Sequence, residues 1–153
     1  MSLNALEEKA VTWFFQCKDY YKASMIIVSS DDYHDPVCTL QSFSIECALK
    51  SLLALSSIEK TGHDLHKLFG ALPEALKKEL KREFQIKFDY DLESELAEIK
   101  LDFVDSRYCL TDPKHNGGKS FSVHSLRNCS SFLYEFTKIK VEHICHRYVS
   151  SLL

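Results

Sequence analysis

Apolar positions return at steps of three and four along most of this chain, and that spacing predicts helices. Leu6, Ala10, Trp13, Cys17, Tyr20, Ser24 and Ile27 form the first stripe, while Glu7, Glu8, Lys18, Asp19 and Lys22 make its wet side. Asn4 followed by Glu7 fits a variant of the capping box, so a helix is expected from there to about Ser29. Turn formers crowd residues 29–36. A connection that short joins antiparallel neighbours, and the first two helices should make a hairpin.

The second helix, over 35–55, is the most apolar of the set. Asp35 can cap its first amides, with Pro36 at the first helical position, where a missing N–H costs nothing. Val37, Leu40, Ile45, Ala48, Leu49, Leu52 and Leu55 cover a wide arc and leave Thr39, Ser42, Glu46 and Lys50 as a narrow polar strip. Such a helix needs neighbours on several sides. Taken alone, Glu46 and Lys50 are an ordinary solvated pair one turn apart.

Beyond a polar connection, Leu65, Leu68, Phe69 and Leu72 mark a short helix for which His63 can serve as cap, and Pro73 permits a fresh start carrying Leu76, Leu80 and Phe84. The outer face of this arm mixes Lys77, Lys78, Lys81 and Arg82 with Glu74, Glu79 and Glu83, which is a salt-laced solvated surface rather than a phosphate track. Phe84, Ile86, Phe88 and Tyr90 then alternate with polar residues, a strand period. With no partner strand in the chain, 84–90 is expected as an extended connector lying on the bundle, or as a strand pairing with its own copy across a dimer.

A helix resumes at Asp91 with Leu92, Leu96, Ile99 and Phe103 on one stripe, and continuing that stripe places Arg107 on the apolar face. An arginine there must be paired or open into a polar cleft. Two readings stand: a buried lock onto Glu46 or Asp64, or a ligand contact, since arginine suits bidentate phosphate binding. Residues 111–120 are the clearest loop, and GGKS within them is not a P-loop, because the glycine required earlier in that motif is Pro113. The last helix is expected to begin with Ser120 or Ser122 as cap and to run to about Val149, with Val123, Leu126, Leu133, Phe136, Ile144 and Tyr148 inward. The whole is an all-α, up-and-down bundle of about five helices in one domain over 1–153.

Composition narrows the function classes. With 19 basic and 22 acidic residues in 153, a formal charge of −3 advertises no global nucleic-acid surface, so any phosphate site must be local. The six cysteines fall mainly within helical apolar patterns and read as small core residues of a reducing cytoplasm. No apolar run is long enough to span a membrane. His63 with His66, and His143 with His146, share helix faces, but no further ligand completes a metal site beside them, and no cofactor or metal is called for. No nucleophile elbow is present, which leaves nucleophilic hydrolysis without support.

A long first helix, SIECALKSLLAL, GHDLHKLF and DFVDSRYC, in this order, resemble the HEPN family (higher eukaryotes and prokaryotes nucleotide-binding domain) across most of the chain. By resemblance, Glu46 and Lys50 match the family's E-x-x-x-K, His63, Asp64 and Leu65 its His-Asp-Leu, and Arg107 with Tyr108 its Arg-Tyr pair; Cys109 stands where proline commonly follows. The resemblance implies a helical bundle, often a homodimer, found in toxin–antitoxin pairs with small nucleotidyltransferases, in phage defence, and as non-catalytic binding modules. Ribonuclease members carry Arg-x(4-6)-His. Arg82, Arg127 and Arg147 have no histidine at those positions, and Arg107 reaches His115 only across seven residues that include Pro113. The expectation is a nucleotide- or RNA-binding or interaction module, its ligand cleft at Glu46, Lys50, His63, Asp64 and Arg107. The alternatives are a metal-independent endoribonuclease using Arg107 and His115, or a protein adaptor.

Overall fold

The computed structural model describes residues 3–28, 34–100 and 119–150, with 34–35, 119–123 and 147–150 described by backbone alone. Six helices occupy them: α1 (Ala5–Val28), α2 (His34–Leu55), α3 (Leu65–Gly70), α4 (Glu74–Phe88), α5 (Leu92–Ile99) and α6 (Lys119–Ser150). The all-α expectation holds, and no strand occurs among the described residues. Phe103, Arg107, Tyr108, Cys109 and His115 lie outside the described residues.

Local chemistry sets most boundaries. Asn4 Oδ1 accepts from the amides of Leu6 and Glu7 at 3.0 and 2.9 Å, and Glu7 Oε2 accepts from the Asn4 amide at 2.9 Å, which completes the capping box that opens α1. Asp64 caps α3 by accepting the Lys67 amide at 3.0 Å, and Asp91 caps α5 by accepting the Ser94 amide at 3.0 Å. The cap of α3 is therefore Asp64 and not His63, as expected of a carboxylate placed ahead of free amides. Helix α2 already begins at His34 and α6 at Lys119, each slightly ahead of the cap expected from sequence.

The extended segment expected over 84–90 is helix as far as Phe88. Phe84 and Phe88 are one turn apart and share a face, their ring centroids 4.9 Å from each other, whereas Ile86 points outward. The chain leaves the helix at Asp89, which takes the left-handed conformation at φ 61° and donates its amide to the Gln85 carbonyl at 2.9 Å. With no strand there, a strand-paired dimer through this segment is excluded.

Helices α1 and α2 form the expected antiparallel hairpin. Ser44 Oγ donates to the Cys17 carbonyl at 3.2 Å and Ser51 Oγ to the Ala10 carbonyl at 2.7 Å, so small residues bring the two backbones close. Tyr134 of α6 stacks on Tyr21 at 4.5 Å and on Phe14 at 6.1 Å, closing the third side of this unit. The shorter helices form an outer layer whose Leu65, Leu68, Phe69, Leu80, Phe84, Leu92 and Leu96 are all buried with Ile45, Leu49, Leu52 and Leu53 in a common core. Phe132 meets Phe84 edge-on at 5.2 Å, joining α6 to α4. No described helix is long and apolar enough to cross a membrane.

Candidate functional site

The polar strip of α2 is inside the protein. Ser42, Glu46 and Lys50 are all buried, Glu46 to 4% exposure and Lys50 to 9%, so the pair that looks like a surface pair in the sequence is a buried one. Lys50 Nζ donates to Glu46 Oε1 at 2.7 Å. His63, from the connection between α2 and α3, brings Nδ1 to 3.0 Å from both Glu46 oxygens. A carboxylate only accepts, so these contacts are hydrogen bonds in the tautomer whose proton sits on Nδ1. Charges removed from water persist only where their partners are this close.

Trp13 completes the cluster, with Lys50 Nζ 4.7 Å from its ring centroid. The ammonium thus lies between a carboxylate and an aromatic face, a cation–π contact worth about 2 kcal/mol where water is excluded. Sequence periodicity places Trp13 on the inner stripe of α1 but gives no sign of Lys50 as its neighbour. Three of the residues expected to form a ligand cleft, Glu46, Lys50 and His63, are brought together. Asp64 follows His63 in the chain, but its carboxylate turns to α3, where it caps the helix and stands 3.5 Å from Lys67 Nζ.

The arrangement fixes position rather than supplying a reactive group. Both oxygens of Glu46 are engaged by donors, and the charge of Lys50 is neutralised where it lies. What the cluster does is tie the 56–64 connection, and with it the start of α3, to the middle of α2. His66 faces Glu93 at 3.7 Å, so the two histidines of this segment serve different partners. Among the described residues no group of three or more His, Cys, Asp or Glu is placed to hold a metal. Burial pushes the Cys17 thiol up to about 11, and burial together with the neighbouring Glu46 carboxylate pushes Cys47 up to about 12. Neither is a thiolate at neutral pH, consistent with small core residues.

The cap at Asp64 carries a pH signature. Its carboxyl is held below the usual range, first by the hydrogen bond from the Lys67 amide and then by the Lys67 charge. Because the folded value is depressed, the cap's contribution is present above the unfolded carboxylate value of about 3.9 and is lost as pH falls through the folded one. Asp64→Asn keeps a capping oxygen without the titration. Denaturant midpoints of the two proteins should therefore run parallel from pH 7 to about 5 and converge or cross below about pH 4, where only the wild type loses its ionised cap.

The central helix of the bundle thus carries a buried ion pair tethered by a histidine, a polar seam in an otherwise apolar core. The HEPN domain model matches residues 10–144, and the chain belongs to that family. Comparison with curated proteins and with solved structures gave no match.

Proposed function

We propose that the protein is a non-catalytic HEPN-fold module that binds a nucleotide or RNA phosphate at the polar seam, with Glu46, Lys50 and His63 as its fixed wall and Arg107 as the cation that meets the phosphate. The observation that carries this reading is the engagement of both Glu46 oxygens by Lys50 and His63: a wall whose charges are already satisfied can help position the cation that meets the phosphate but is poorly placed to act as general base. The sequence supports the same division, since Arg107 continues the apolar stripe of Leu92, Leu96 and Ile99 and its spacing to His115 departs from the ribonuclease pattern of the family. In this reading the protein works in the cytoplasm as a homodimer, within a toxin–antitoxin or phage-defence setting, beside a nucleotidyltransferase-like or other protein partner.

Fluorescence anisotropy with a labelled single-stranded RNA and with ATP tests it. Arg107→Ala should weaken binding by about tenfold or more while leaving the melting temperature unchanged, because a charged hydrogen bond to ligand is worth about 1.5–3 kcal/mol. Incubation of the same RNA with protein and EDTA should give no cleavage that His115→Ala removes. Absence of any binding, or equal binding by the Arg107 variant, would sink the proposal; unfolding of that variant would assign Arg107 to a buried pair instead.

A further inference from the structure

Helix α4 buries only Leu80 and Phe84, so about half of its circumference faces outward. Its flanks are neutralised: Lys77 pairs with Glu74 at 2.9 Å, Lys81 with Asp91 and Glu93 at 3.3 and 2.8 Å, and Glu79 with Lys140 of α6 at 2.8 Å. On the outermost ridge Lys78, Arg82 and Ile86 follow one another at one-turn intervals. Lys78 and Arg82 are exposed and form no salt bridge among the described residues, although the charge of Lys78 is felt by Glu74 one turn away. Ile86 is 79% exposed, more than any other large apolar side chain described, and Tyr90, just past the helix end, is 57% exposed. Two exposed cations held by no salt bridge among the described residues therefore lead into an apolar tip, in a chain whose formal charge is −3.

We infer that this ridge of α4 is a docking surface for an acidic segment of a different protein, one carrying carboxylates a helical turn apart beside an apolar side chain that covers Ile86. Charge complementarity fixes the sign of the partner. One turn separates Lys78 from Arg82 by about 6 Å along the axis, the same interval that separates carboxylates at i and i+4 of a partner helix. Ile86 selects protein over nucleic acid: an isoleucine has no ring to stack on a base, and it gains from burial against another apolar side chain. Arginine and tyrosine beside a buried aliphatic anchor are the residue types on which interface energy concentrates. This surface is separate from the polar seam and does not depend on what binds there.

Site-specific photo-crosslinking tests the inference. The full chain carrying benzoylphenylalanine at Gln85, an exposed position on the same face, is expressed in the source cells and irradiated, and the adduct is sequenced by mass spectrometry. The expected product joins position 85 to a different polypeptide, through a segment with acidic residues a turn apart and an apolar neighbour. Its yield should fall about tenfold or more when Arg82→Glu or Ile86→Asp is added. Both substitutions lie on an exposed face, and thermal melts should show each variant folded. An adduct to a second copy of this chain, an adduct removed by ribonuclease, an adduct to a segment without acidic residues, or no adduct would each overturn the proposal.

Discussion

Glu46→Ala should destabilise the fold by about 3–5 kcal/mol, the cost of leaving a buried charge without its partner. The charge is Lys50, 9% exposed, which would keep the Trp13 face but lose the oxygen 2.7 Å away. His63 would lose its acceptor in the same stroke, and the 56–64 connection its tether to α2. A double replacement, Glu46→Leu with Lys50→Met, removes both charges and should recover most of the loss, because a well-packed apolar pair of similar volume often matches or exceeds a buried ion pair. Urea denaturation of the three proteins, read as midpoints at constant slope, distinguishes these outcomes. If the single variant were as stable as wild type, the pair would be effectively solvated and the wall assigned to it would not exist.

Phe84→Ala should cost a comparable amount, about 3–5 kcal/mol, through lost burial and the cavity left behind. Phe84 has no exposure, lies 4.9 Å from the Phe88 ring and meets Phe132 edge-on at 5.2 Å, so its removal opens the join between the outer layer and α6. Ile86→Ala, two residues on, should change stability by no more than about 0.5 kcal/mol, because that side chain is 79% exposed. The contrast is decisive for the conformation of this segment. A strand lying on the bundle would bury Phe84 and Ile86 alike, and the two substitutions would then cost similar amounts.

That segment also shows where sequence reading fails. Positions 84 and 88 belong both to an alternating pattern and to a helical one, and the pattern by itself cannot choose between them. The helix formers of EALKKELKREF, already running from Glu74, decide it: extending an existing helix by a turn adds a hydrogen bond per residue, whereas a strand here would find no partner. Features written in neighbouring residues were legible: the Asn4–Glu7 capping box, the Asp91 start, the stripe of Leu92, Leu96 and Ile99, and the enclosure of α2. The polar strip of α2 was visible as a strip, but a Glu–Lys pair one turn apart reads the same on a surface as in a core. Its burial depends on His63 and on Trp13, whose contacts with it are made by the tertiary fold. The cap reading of His63 fails because Asp64 beside it is the true cap, whereas its grouping with Glu46 and Lys50 was implied only by the family resemblance, since a contact across seventeen residues leaves no local trace.

The two serine stitches between the first helices act together as a ruler. Ser44 and Ser51 are seven residues apart on α2, and their acceptors, Cys17 and Ala10, are seven apart on α1, so both bonds are made in one alignment of the antiparallel pair. Sliding either helix by a turn would break both and drive Tyr20 off Phe43, on which it stacks at 5.1 Å. The hairpin is therefore indexed, with no neighbouring register of similar energy. Any rearrangement that accompanies ligand or partner binding must fall to the thinner layer of α3, α4 and α5, which moves, if it moves, against a frame that cannot creep.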